Sequence, residues 1–258
     1  MFETARPATL RLLHYWWPLA LGWSITVVVQ RATARSVDPF GMVALLSGIF
    51  AAYSLDRVFD SSSSEERVWE RRVLATSGVI AAIACGVAAC WIPLRTALLI
   101  PVLGAAALCY PRLKQLTLTK TVALPIVWTW ASMALPFNDT SWLGWHWLTM
   151  PVAAPLLLLI ASGCVLCDLK DEQADRLAGV RSLPAVVGSI ATLRVAVALA
   201  LAAGGLALAE HRTAIAVSAA VLGVATMLPA VLATDATGPL LVDMILTLPG
   251  ILISARLV

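Results

Sequence analysis

Asp168-Leu169-Lys170-Asp171-Glu172-Gln173-Ala174-Asp175 is a charged segment set between two apolar runs, 148–167 and 184–208. Asp171 and Asp175 stand four residues apart, which a helix places on one face, and Asp168 falls a turn further back on that face. Each flanking run is long enough to cross a bilayer as a helix. Working outward in both directions gives about nine such runs. They are 15–33, 39–56, 73–91, 94–110, 119–136, 148–167, 184–208, 212–232 and 238–255. The 94–110 run is short and contains Pro101, so a tilt or break is expected there. Pro125, Pro155, Pro229 and Pro249 also fall within runs, where neighbouring helices tolerate them. Small residues, as in 81–89 and 202–209, allow close helix contact.

Composition excludes a water-soluble domain. The 258 residues are 60% hydrophobic and only 13% charged, too little polar surface for a soluble chain of this length. Ten Trp suit a membrane protein, because indoles favour the interface. Trp16, Trp17, Trp69, Trp91, Trp142, Trp145 and Trp147 are expected near helix ends or in loops. No cleavable signal peptide is expected, since the first apolar run lacks a small-residue cleavage site. Cys85, Cys90, Cys109, Cys164 and Cys167 read mainly as small hydrophobes. Cys164 and Cys167 have CxxC spacing, but neither a second pair nor a nearby His completes a zinc site.

Nine spans place alternate loops on opposite sides. The N-terminus and the loops 57–72, 111–118, 168–183 and 233–237 then share one side. With Lys120 just inside its span, that side carries Arg6, Arg11, Arg57, Arg67, Arg71, Arg72, Arg112, Lys114, Lys120, Lys170, Arg176 and Arg181. The other carries Arg31, Arg35, Arg95, Arg212 and Arg256. The positive-inside rule makes the richer side cytoplasmic. The chain is therefore expected to be a multi-pass protein of the inner or cytoplasmic membrane, with the N-terminus in the cytoplasm.

A second acidic cluster, Asp56-Arg57-Val58-Phe59-Asp60, falls on the same side. Carboxylates repel phosphate, so this many acids accept a diphosphate only through a cation. Mg²⁺ fits, being hard and commonly held by one or two carboxylates plus substrate phosphates. Asp56 and Asp60 suit one ion, and Asp171 and Asp175 another. Lys114, Arg57 and Arg181 suit direct contact with phosphate oxygens. The plain alternative is a solvated cytoplasmic face, which is also the expected role of Glu65, Glu66, Glu70, Arg67, Arg71 and Arg72. Asp243 lies inside the last run, where acids face the bundle interior. It either lines a cavity or pairs with another polar group.

Three segments resemble the UbiA superfamily of intramembrane prenyltransferases. Asp168–Asp175 followed by Gly179-Val180-Arg181-Ser182-Leu183-Pro184 is similar to the family's second aspartate motif and its Gly-x-Arg-Thr/Ser-Leu-Pro continuation. Ala52-Tyr53-Ser54-Leu55-Asp56-Arg57-Val58-Phe59-Asp60 aligns with an Asn-Asp-x-x-Asp-x-x-x-Asp pattern, keeping the last two Asp but not the leading Asn-Asp. Tyr110-Pro111-Arg112-Leu113-Lys114 is similar to the Tyr-x-x-x-Lys segment. The three follow the second, fourth and sixth runs, as in that family.

The resemblance implies an all-α, single-domain bundle of nine transmembrane helices over 1–258, around a central cavity open sideways to lipid. It implies Mg²⁺ and a prenyl diphosphate donor at Asp56, Asp60, Asp171 and Asp175. Asp168 would assist the second site or the acceptor, and Tyr110, Arg112, Lys114, Arg181 and Arg57 would steady the diphosphate. A lipophilic, often aromatic acceptor would capture the prenyl group, with membrane lipids as surroundings and no nucleic-acid partner. Trp128 and Trp130 are candidates for a wall facing an allylic cation, with bundle packing as the alternative. A membrane terpene cyclase, a noncatalytic lipid-binding homologue and an ion-coupled transporter are the competing readings.

Overall fold

The apolar runs are helices in the computed structural model of the chain, which describes residues 8–60, 68–113, 119–138, 145–228 and 237–258. The helices are α1 (Ala8–Thr33), α2 (Pro39–Asp60), α3 (Val68–Ala89), α4 (Leu94–Ala97), α5 (Leu99–Leu113) and α6 (Thr119–Ala134). They continue with α7 (Ala153–Ala178), α8 (Leu183–Val187), α9 (Ser189–Ala209), α10 (Thr213–Ala225) and α11 (Thr237–Ser254). Short 3-10 turns occupy Leu135–Phe137 and Trp145–Thr149. No strand occurs among the described residues. A helix satisfies its backbone polar groups internally, which lipid requires. The protein is an all-α, polytopic bundle.

Among the described residues three segments are long and apolar enough to cross a membrane: Pro39–Val58, Arg71–Ala89 and Ser189–Ala209. Leu94–Tyr110, Thr121–Phe137, Ala153–Leu169, Thr213–Ala225 and Leu240–Ser254 are shorter apolar helices. The large residues left on the surface fit this setting. Ile80, Ile83, Val87, Leu94, Leu98, Val102 and Leu108 are all exposed, an arrangement that lipid favours and water does not.

Several expected boundaries are corrected. The fourth run does break, but at Leu98 between α4 and α5. Pro101 then sits in the first turn of α5, where its missing N–H costs nothing. The seventh run is split at Gly188, whose φ of 85° separates α8 from α9. The eighth helix stops at Ala225 rather than near 232. Leu228 precedes Pro229, a position biased against helical backbone. The segment 168–178, expected as a loop, is the last three turns of α7. Trp147, expected near a helix end or in a loop, lies in the 3-10 turn before α7, with its side chain buried in the core.

Packing divides the bundle into a ring and two flanks. α1, α6, α7 and α11 contact one another in a closed circuit; α2 packs on α1 and carries α3 and α5; α9 and α10 cover α7 and α11. Small residues set the close approaches. Ala196, Ala200, Ala203 and Ala207 form a buried stripe on α9, and Ala44, Cys85 and Ala88 do the same between α2 and α3. The main core joins Ile25 and Val29 of α1, Met133 of α6, Leu156 and Ile160 of α7, Ile215 and Leu222 of α10, and Leu246 of α11. Trp128 and Trp130 pack against it.

A buried polar seam fixes α11 to α1. The indole N–H of Trp17 donates to Thr247 Oγ1 at 2.9 Å. Ser24 Oγ donates to the Thr247 carbonyl at 3.0 Å and accepts the Gly250 N–H at 2.9 Å. Thr247 Oγ1 donates to the Asp243 carbonyl at 2.5 Å. Each of these groups would be costly to bury alone.

Candidate functional site

α7 runs without interruption through the acidic segment, so Asp168, Asp171 and Asp175 lie on one helical face. Gly179 ends it. With φ at 71°, its N–H reaches the Arg176 carbonyl, while the Val180 N–H reaches the Asp175 carbonyl at 2.8 Å. This paired capping uses the left-handed conformation that glycine adopts without strain. Val180 itself is buried, 7% exposed. The chain then reverses through Arg181, which is exposed, and Ser182, which is buried and starts α8. Among the described residues no hydrogen bond reaches Ser182 Oγ.

The two acidic segments share one end of the bundle. Gly163 of α7 faces Leu246 of α11, and the helices run in opposite directions. Five residues further along α7 therefore puts Asp168 near the level of Leu241 of α11. Asp56 and Asp60 lie in the last turns of α2. Leu99 clusters with Leu45, so the parallel course of α5 brings Tyr110 and Arg112 to that same end.

Burial differs among the candidate residues. Asp168 is 2% exposed and accepts a hydrogen bond from Thr121 Oγ1 at 2.8 Å. It thereby ties α7 to α6. Asp56 and Asp175 are partly buried, with Asp56 Oδ1 and Asp175 Oδ2 shielded from solvent. Arg57 donates from Nη2 to the Tyr53 hydroxyl at 2.8 Å, and its guanidinium carbon lies 5.0 Å from the centre of that ring. Tyr110 is half-buried and Arg112 exposed. Asp60 and Asp171 are helical, but their side chains lie outside the described residues, as does Lys114 altogether.

Outside the apolar stretch, Glu172 links α7 to α9. Ser189 Oγ donates to its Oε2 at 2.5 Å and Arg176 to its Oε1 at 2.8 Å. The Ser189 hydrogen bond, aided by Arg176 against partial desolvation, holds the Glu172 carboxyl below its ordinary value.

Among the described residues no three His, Cys, Asp or Glu side chains converge as a metal cage. Mg²⁺ does not need one, since one or two carboxylates with substrate phosphates suffice. The solvent-shielded oxygens of Asp56 and Asp175 are hard donors of the right kind, so the residues present fit that ion.

Residues 15–239 match the UbiA prenyltransferase family. The chain belongs to that family. Curated proteins and solved structures yield no match. Isoprenoid transfer is the general chemistry of the UbiA family.

Reading residues alone gave no role to Thr121, Ser182 or Tyr53. Thr121 is a single hydroxyl with no pattern around it, and Ser182 was legible only as part of its motif. Tyr53 carried a signal, because an aromatic stands where an acid was expected, four residues before Arg57.

Proposed function

We propose that this UbiA-family protein transfers a prenyl group from a prenyl diphosphate to a lipophilic, aromatic acceptor and releases diphosphate. The observation that carries this reading is the match of residues 15–239 to the UbiA prenyltransferase family, supported by the position of Asp56 and Asp175 in the last turns of α2 and α7. Nine crossings and a central cavity complete the proposed architecture, with the end that carries those acids facing the cytoplasm.

Asp56, Asp60, Asp171 and Asp175 are the proposed Mg²⁺ ligands, and the ion supplies charge neutralisation at the diphosphate. Arg57, Arg112, Arg181 and Lys114 bind phosphate oxygens, where guanidinium forks match paired oxygens. Tyr110 lies beside them. Tyr53 takes one of the five N–H donors of Arg57 and so orients the rest. Asp168 is a positioning residue, since its contact with Thr121 sets the α6–α7 spacing. The apolar helices exclude water from the allylic cation left by ionisation.

Purified protein is expected to release diphosphate from farnesyl or longer prenyl diphosphates in the presence of Mg²⁺, and to stop after chelation. Asp56→Ala and Asp175→Ala should each lower the rate at least roughly 100-fold, on the scale of lost electrostatic stabilisation, with the helical content unchanged. Full rates in these variants, or after stringent chelation, would remove the assignment. The Ala52-Tyr53 departure favours one second reading, a membrane terpene cyclase. Cyclic hydrocarbon products formed without any acceptor would establish it.

A further inference from the structure

At the start of α2, the end of the helix remote from Asp56, lies a cavity of about 400 Å³ lined by Arg35, Ser36, Phe137 and Asn138. Its two walls are the α1–α2 connection and the turn that follows α6. They are joined to each other. The Asp38 N–H donates to the Pro136 carbonyl at 2.7 Å. Gly41 sits so close to the Leu135 carbonyl that a Cβ there would not fit. Asp38 Oδ2 accepts the Gly41 N–H at 2.7 Å, which commits that carboxylate to capping α2. Ala34 and Asn138, one on each wall, both hold a positive φ, 54° and 49°. Alanine takes up such a backbone only at a cost, and strain of this kind gathers where ligands are held.

Neighbouring rings mark its depth in the membrane. Phe40, five residues after Arg35, stacks on Trp91 with ring centroids 5.5 Å apart. Both rings are exposed, as aromatic side chains are where acyl chains give way to head groups. The cavity therefore sits at head-group level beside a lipid-facing surface. Arg31 and Arg35 are exposed there, and Asp38 is the single acid between residues 31 and 41. The connection is thus positive on balance. Asn138 Oδ1 is shielded from solvent and has no hydrogen-bond partner among the described residues. An acceptor so placed is costly until an O–H or N–H donor reaches it.

We propose that this cavity binds the head group of an anionic phospholipid of the phosphatidylglycerol type. Arg35 takes the phosphodiester, whose paired oxygens a planar guanidinium matches. The Ser36 hydroxyl adds a donor to the same oxygens. Asn138 accepts a hydroxyl of the terminal glycerol. A choline head offers Asn138 no donor and brings its own positive charge towards Arg31 and Arg35. A free phosphate ester has the right charge but no acyl chains to lie along the surface that Phe40 and Trp91 border.

The probes are dioleoyl phosphatidylglycerol, the matching phosphatidylcholine and soluble glycerol phosphate, offered to the delipidated full chain in detergent. Native mass spectrometry measures what stays bound. Wild type should hold phosphatidylglycerol at least roughly 10-fold more tightly than phosphatidylcholine, the worth of a hydrogen bond to a charged group. Arg35→Ala should abolish most of that preference. Arg35→Lys keeps the charge without the fork and should recover part of it. Asn138→Gly keeps the left-handed backbone and should weaken phosphatidylglycerol roughly 3- to 10-fold, with phosphatidylcholine unchanged. Arg95, exposed on another connection at this end, is the control, and Arg95→Ala should stay within about twofold of wild type, as a screened surface charge does. Equal retention of the two lipids by wild type overturns the proposal without any variant. So does an unchanged preference in Arg35→Ala, or an equal loss in Arg35→Ala and Arg95→Ala, which marks diffuse charge and no site. Displacement of the lipid by an equimolar amount of glycerol phosphate overturns the lipid assignment in favour of a free phosphate ester.

Discussion

Asp168 and Asp56 belong to similar acidic segments, yet their surroundings assign them different work. The Asp168 carboxylate is 2% exposed and accepts a hydrogen bond from the Thr121 hydroxyl at 2.8 Å. A carboxylate so enclosed binds helices together more readily than it meets a substrate. Asp56 sits in the last turns of α2 with only part of its surface covered. Thr121→Val should therefore destabilise the protein by about 1–3 kcal/mol, the cost of withdrawing a donor from a buried charged acceptor. Thermal unfolding in detergent would check this, and a variant as stable as wild type would show that the bond contributes little. The Asp spacing was legible from residues alone. Which Asp turns inward was not, because it depends on a threonine 47 positions away.

At the scale of elements, close approach is set by glycine and by small polar side chains. A Cβ on Gly250 would lie 2.6 Å from Ser24 Cα, a backbone atom that cannot step aside. On Gly104 it would meet nothing within 4 Å. Gly250→Ala should cost about 1–3 kcal/mol through overpacking. Gly104→Ala should be neutral or stabilising by about 0.5–1 kcal/mol, since glycine weakens a helix interior. Equal melting temperatures for the two variants would refute the predicted α1–α11 approach. Composition announced that small residues would pack helices together, and α9 and the α2–α3 contact do so. It did not say which glycines touch a neighbour, because that requires the helices to be placed.

The Glu172 latch between α7 and α9 carries its own pH dependence. The folded carboxyl is held below its ordinary value of 4.5, chiefly by Ser189. Its contribution to stability is then complete above the unfolded value and fades as pH falls through the lowered folded value. The stability difference between wild type and Glu172→Gln should be constant near neutrality and shrink in that acid range. Unfolding scans across pH would measure it, and a difference that grows with acid would contradict the assignment.

For the whole molecule, the decisive matter is sidedness. Alternating helices bring the ends of α2, α5 and α7 together with the starts of α6 and α11. Cysteines introduced at Ser62 and Arg176, in a chain otherwise free of cysteine, should react with an impermeant thiol reagent from the same side of the membrane. Cysteines at Arg35 and His211 should react from the other. Labelling of Ser62→Cys and Arg176→Cys from opposite sides would separate the acidic segments and end the proposal of a shared site.

Sequence alone determined the helical class, the membrane setting and the kinship that the acidic segments announce. These follow from hydropathy, charge and short-range spacing, all local properties that a linear string records. Only the tertiary structure decided that α7 carries its acids on a continued helix capped at Gly179, that Asp168 accepts a hydrogen bond from Thr121 of α6, and that Thr247 of α11 is joined to Trp17 and Ser24 of α1. These outcomes depend on contacts between residues tens to hundreds of positions apart. Such contacts are chosen by how whole helices pack, and no local pattern encodes that choice.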